Sequence, residues 1–263
     1  MQVLLNAMNA NTATIGHGYV EGVIESYNRS QSRAPAPAIG DAALAPRRAA
    51  QVRLVPAFLY NPGLVDAWFI ATGVFGLLLI LNSSLIASAA MVKEREAGTI
   101  EQLLMSPAST AEIIVAKIVP LFALLSMMMV LALGVLKLVF RVPFNGSLLL
   151  VIFGGLLCIL SGISLGMVIA TFSRSAQQAQ LTAFFVNPPM SSLSGALSPV
   201  EAMPEWLQPL TVLNPIHHFA TIVRGSMLKG AGLATLWPHM LVLIVFTLVL
   251  VSLSVWWFRK QLA

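Results

Sequence analysis

From residue 66 onward, long apolar stretches alternate with short charged or proline-marked breaks, at residues 66–92, 112–139, 147–171, 176–197 and 238–258. Each is near or above the roughly 20 residues a helix needs to cross the hydrocarbon layer of a bilayer. Inside lipid, a lone segment satisfies its own backbone polar groups only as a helix. The pattern predicts an all-α polytopic membrane protein with five transmembrane helices. The first 63 residues differ in kind, with mixed polarity, five arginines and a Pro/Ala/Arg-rich middle at 33–46 that reads as an irregular linker. Ile15, Tyr19, Val23 and Tyr27 recur every four residues and predict a helix over 13–28, weakened by Gly16, Gly18 and Gly22. Residues 52–60 read as a short strand interrupted by Pro56. The expected organisation is a small α+β segment over 1–63 and a membrane domain over 64–263.

One break between apolar runs is densely charged: residues 91–110, MVKEREAGTIEQLLMSPAST. Lys93, Glu94, Arg95 and Glu96 extend the first run into water, and Gly98 stands where a helix C-terminus needs positive φ. Thr99 precedes Gln102 by the three residues of a capping box. Ile100, Leu103 and Leu104 then form one apolar face, and Pro107 ends the pattern. Ser109 with Glu112 repeats the capping spacing. A short, capped amphipathic helix between two spans is expected, over about 93–107.

Composition agrees with the hydropathy: 57% of residues are hydrophobic, 10% are charged and the mean hydropathy is +0.85, which excludes an ordinary soluble domain. The net charge of +5 comes from basic residues scattered at the edges of apolar runs. No basic face is interleaved with aromatics, so the partner is the lipid bilayer and not nucleic acid. Cys158, the single cysteine, lies in an apolar run and reads as a packing residue. Orientation by charge is weak. Placing the KERE break inside puts Lys93, Arg95, Lys117, Arg174, Arg259 and Lys260 there against Lys137, Arg141, Arg224 and Lys229 outside, and Arg47, Arg48 and Arg53 erase that margin. The first ten residues carry no signal-peptide pattern. The expectation is one further span upstream, with the leading segment external.

The fourth run contains Asn187, Pro188 and Pro189, which remove two backbone donors and predict a kink or break, structural or as a hinge in a transport pathway. Ser175 and Gln178 give that run a capping-box start. Residues 198–239 are cut by Pro199, Pro204, Pro209 and Pro215; residues 218–228 predict a short helix carrying Arg224 and returning partly into the bilayer. Trp206 and Trp237 are natural interface anchors.

The stretch Lys93-Glu94-Arg95-Glu96-Ala97-Gly98-Thr99-Ile100-Glu101-Gln102-Leu103-Leu104, followed by Ser106-Pro107, resembles the signature of type-2 ABC transporter permeases, the bacterial exporter branch with a large external domain. The resemblance extends to Asn9-Ala10-Asn11-Thr12-Ala13, to Leu213-Asn214-Pro215 and to Ile222-Val223-Arg224-Gly225. It implies an inner-membrane exporter subunit of hydrophobic or amphipathic compounds, drug-like or lipid-like. It implies a separate ATP-binding subunit as partner, a second permease subunit, identical or homologous, and room for a periplasmic adaptor. Glu94, Arg95, Glu96, Gly98, Thr99, Glu101, Gln102 and Leu103 would form the coupling element that docks on the ATPase. Asn214, Pro215 and Arg224 would belong to re-entrant extracellular helices over about 199–236. In that family the usual first span precedes the region matched here.

No GxxxxGK[S/T] phosphate loop occurs, so no nucleotide is expected on this chain, and ATP acts through the partner. No catalytic residue is identified. His17, His217, His218 and His239 lack metal-ligand spacing, so no metal site is expected. Asp66, Glu94 and Glu112 all lie near the ends of apolar runs. An ion-coupled secondary transporter, the alternative, requires an acidic group near the midplane. A membrane scaffold without transport is the third class.

Overall fold

The computed structural model describes residues 2–33, 52–98 and 110–262. It is mostly helical and divides into two compact units, Met1–Asp66 and Ala67–Ala263.

In the first unit, β1 (Gln2–Asn6) and β2 (Val55–Leu59) pair in parallel, Gln2 opposite Val55 and Asn6 opposite Leu59. Helix α1 (Ala10–Arg33) lies between them in sequence. The strand expected over 52–60 is present, whereas β1 was not anticipated from sequence, because five residues of VLL-type alternation are too few to separate from an apolar loop. Asn9 caps α1: its Oδ1 accepts from the Thr12 amide at 3.0 Å. Asn28 ties the far part of α1 to the approach to β2, accepting from the Val52 amide at 2.9 Å and donating to the Val52 carbonyl at 3.0 Å. Small residues Ala7, Ala10 and Ala13 are buried, while the row Ile15, Tyr19, Val23 and Tyr27 is exposed.

The second unit contains α2 (Asp66–Glu96), α3 (Thr110–Leu138), α4 (Leu148–Phe172), α5 (Ala176–Ser192), a short 3-10 turn (Val200–Ala202), α6 (Gln208–Thr211), α7 (Pro215–Met227) and α8 (Leu233–Leu262). By length and composition four of these can cross a membrane: α2, α3, α4 and α8. The remaining expected span, the fourth in order, is shorter than the run 176–197 suggests. Helix α5 has 17 residues, roughly 25 Å at 1.5 Å per residue, and includes Gln177, Gln178, Gln180 and Asn187. The break expected at Pro188 and Pro189 is also not seen, since α5 continues through both to Ser192.

Burial sorts the helices. Half of the most apolar window is buried in α2 and α4, against 17% in α3 and 22% in α8, which therefore present their flanks outward. Helix α4 is the hub, packing on α3, α5, α7 and α8. Its residues Cys158, Ile159, Ile163 and Met167 are fully buried. Against α2 it uses small residues: a Cβ at Gly162 would stand 2.7 Å from the Ser83 Cβ, and one at Gly166 2.5 Å from the Ser84 carbonyl oxygen. This Gly-x-x-x-Gly spacing lets two backbones approach where no hydrophobic drive separates helix from lipid. Helix α7 is wedged into the same core through Phe219, Ile222 and Val223, with the Phe219 ring 5.5 Å from that of Phe75. It starts earlier than residue 218 because Asn214 caps it, accepting from the Ile216 amide at 3.0 Å, and Pro215 supplies its first turn.

A charged corner, a strapped helix and a buried guanidinium

The charged end of α2 is locked to two neighbours. Arg95 donates to the carbonyl of Ser173, the C-cap residue of α4, and Glu96 Oε1 accepts from the Ala176 amide, the first of α5, at 3.1 Å. Glu94 pairs with Lys117 of α3. The signs are matched to the helix ends: a cation at the carbonyl terminus of α4, an anion at the amide terminus of α5. Only Ser173, Arg174 and Ser175 separate those helices, and they are held too. Ser175 Oγ accepts from the Gln178 amide at 3.1 Å, as the capping pattern predicts, while Gln178 Oε1 reaches past Ser175 to the Arg174 amide at 2.9 Å. Gly98 follows with φ +69°, the left-handed terminus expected of it. Thr99, Glu101, Gln102 and Leu103, and with them the short helix expected before Pro107, lie outside the described residues. Sequence reading missed Lys117, Ser173 and Ala176 as partners, because nothing local marks contacts made 23, 78 and 80 positions away.

Higher on α5, Asn187 is buried and donates to Ser84 Oγ of α2 at 2.9 Å and to the Ala183 carbonyl at 2.6 Å. Ala176, Ala179, Ala183, Asn187 and Ser191 form the buried seam of α5. The opposite side, with Leu181, Phe184 and Phe185 exposed, borders a groove of about 520 Å³ lined by Ser175, Gln177, Gln178, Leu181, Thr182, Phe185 and Val186. Pro188 and Pro189 are exposed at its upper end.

Arg224 lies inside the unit rather than on an open helix face. Its guanidinium donates to the carbonyls of Gly195 at 2.9 Å, Phe69 at 3.0 Å and Ala196, and stacks 3.6 Å from the Phe69 ring centroid. It thereby joins α7 to the start of α2 and to the turn after α5, where Gly195 takes φ +73°. Asn214 adds a bond to the Met190 carbonyl. Beside them His218 Nε2 donates to the Val212 carbonyl at 2.8 Å, which leaves Nδ1 to accept from His239 Nδ1 at 3.1 Å. Burial pushes His217 and His218 below the ordinary imidazole range. Among the described residues no group of three His, Cys, Asp or Glu side chains is placed to hold a metal ion.

Long apolar helices around a polar-stitched core, with a charged corner at one end, define a multi-pass membrane protein of transporter type. The chain belongs to the ABC-2 family of transporter proteins, whose pattern it matches over residues 1–256. It is 33% identical to the probable multidrug ABC transporter permease YbhR of Escherichia coli K12 over 99% of this chain and 68% of that protein. The inner membrane transport permease YhhJ of the same organism is 29% identical over 100% of this chain and 68% of its own length. ABC transporter G family member 20 of Dictyostelium discoideum is 28% identical over 77% of this chain and 28% of that protein. The chain is thus a permease-type membrane subunit, and catalysis of ATP hydrolysis lies with another subunit.

Proposed function

We propose that this chain is the membrane-spanning subunit of an ATP-driven exporter of hydrophobic or amphipathic compounds, drug-like or lipid-like, in a bacterial inner membrane. ATP binds a separate ATPase subunit, which docks on the coupling element of Glu94, Arg95, Glu96, Gly98, Thr99, Glu101, Gln102 and Leu103. A second permease subunit completes the pathway, and a periplasmic adaptor receives the product. Helix α5 is the fourth of five crossings, residues 1–63 form an external domain, and α7 is a re-entrant helix from the external side.

The observation that carries this reading is the end of α2, where Glu94, Arg95 and Glu96 bond to three neighbouring helices just before the expected docking helix. ATP binding can bias a two-state permease only through contacts that differ between its states, and a stiff corner can pass such a difference on. The groove on α5, with the amides of Gln177 and Gln178 at one end and Leu181, Phe185 and Val186 along it, suits an amphipathic cargo. Against ion coupling, no Asp or Glu occurs within 67–92, 115–138, 148–172, 176–192 or 233–257. The names of YbhR and YhhJ as transport permeases support the same class.

The test is reconstitution in inverted vesicles with an ABC ATPase and a lipophilic dye supplied outside, on the face that corresponds to the cytoplasm. ATP-dependent dye movement is expected only with both subunits present. Glu101→Lys should abolish stimulation of the ATPase with membrane insertion intact. Glu94→Lys should do the same with an added stability loss, because it sets a second cation against Lys117. Wild-type transport in the Glu101→Lys protein would sink the coupling assignment.

A further inference from the structure

We infer that Arg95 and Glu96 are positioning residues that strap the lower half of α5 to its neighbours by hydrogen bonding, so that α5 bends only in its upper part, over the turn 184–189. The inference rests on the exporter reading for its consequence in transport, and on geometry alone for the strap itself.

Helix α5 is tied to α2 at two levels. At the bottom Glu96 holds the Ala176 amide; higher up Asn187 holds Ser84. The ties are separated by 12 residues on α2 and 11 on α5, about 18 Å and 16 Å of helix. Two nearly equal lengths between two ties make the helices one braced pair running in opposite directions. Between the ties α5 turns Ala179 and Ala183, both fully buried, toward the core. Immediately above the upper tie come two residues without an amide hydrogen, so the carbonyls of Phe184 and Phe185 lose their helical donors there. Bending resistance therefore falls over the turn 184–189 that surrounds the upper tie.

Arg95 closes the lower end of the brace from the other side. By holding Ser173 it prevents the three-residue corner from absorbing a displacement of α2. A push on the segment following Glu96 reaches Ala176 without slack and carries α5 with it up to that turn.

Both residues are also assigned to ATPase docking, and charge separates the two roles. A docking role needs the charges, whereas the strap needs an acceptor at 96 and a donor at 95. Glu96→Gln and Arg95→Gln remove the charge and keep the hydrogen-bonding group; Glu96→Ala and Arg95→Ala remove both. The measurements are amide hydrogen exchange over 174–182 in nanodiscs and transport per ATP hydrolysed with the ATPase present. Glu96→Ala should speed exchange about tenfold, the factor carried by one charge-assisted hydrogen bond of typical strength. It should cut transport per ATP severalfold. Glu96→Gln should restore the slow exchange and most of the transport per ATP lost in Glu96→Ala, whereas any ATPase association lost equally in both variants belongs to the docking charge. Equally fast exchange in the Gln and Ala variants would overturn the strap, as would unchanged exchange in Glu96→Ala. Absence of ATP-dependent transport in the wild-type protein would refute the exporter reading and leave the exchange measurement to judge the strap by itself.

Discussion

Arg224 shows how one residue can carry the junction of three segments. A guanidinium is a permanent cation, and burying it is costly unless its donors are taken up. Here the carbonyls of Phe69, Gly195 and Ala196 and the face of the Phe69 ring take them up. Arg224→Met would keep the bulk and strand those carbonyls, costing about 3 kcal/mol, read as a lower denaturation midpoint in detergent. Arg224→Lys should recover little, since an ammonium lacks the planar fork that reaches all three carbonyls. The sequence places Arg224 on its helix, but its burial depends on the turn at 194–196, which no local pattern encodes. His218 gives a second test. Burial holds its pKa below the unfolded imidazole value, so the unfolded chain takes up the proton first. The neutral histidine's contribution is complete above that value and is lost as pH falls through the ordinary imidazole range toward the lowered folded pKa. Melting at pH 7.5 and pH 5.5 should therefore differ, and His218→Gln should narrow the difference.

Among the elements, the α2–α4 contact is the least tolerant of added volume. Gly166→Leu would drive a side chain into the Ser84 backbone, and overpacking of this kind costs about 1–3 kcal/mol. Gly18→Ala, on a face of α1 with nothing within 4 Å, should instead be neutral or stabilise by up to about 1 kcal/mol; thermal melts of the two variants give the contrast. The long apolar helices were legible because a span of twenty residues averages out local detail. Their seams were not: Gly162 and Gly166 gain meaning only opposite Ser83 and Ser84. Helix α5 misled for a related reason. Its run reads as apolar to residue 197, yet the helix stops at Ser192, and the two prolines that signal a break on a free helix are tolerated where Asn187 is anchored to Ser84. The charged end of α2 was legible as a terminus from Gly98 and as a surface, and Arg95 and Glu96 are indeed exposed; what the pattern did not carry is that the charges also bond Ser173, Ala176 and Lys117.

For the whole molecule the number of crossings turns on α5. Four helices qualify by length and composition; if only these cross, α1 and the end of α8 emerge on the same side. If α5 crosses as well, they emerge on opposite sides. The proposed arrangement requires the second outcome. A helix of roughly 25 Å is short for a hydrocarbon core near 30 Å, but a braced neighbour offsets mismatch, because α2 shields the polar seam of α5 from lipid and the aromatic side faces outward at Phe184 and Phe185. The amides of Gln177 and Gln178 then sit at the lower boundary beside the charged corner, where water reaches them. A cysteine-free Cys158→Ala background with a single cysteine at Ser26 on α1 or at Leu262 at the end of α8 tests this. In sealed right-side-out vesicles a membrane-impermeant maleimide should label Ser26→Cys and leave Leu262→Cys unlabelled until the membrane is opened. Labelling of both from the same side would reduce the crossings to four and place α5 against the bilayer without spanning it.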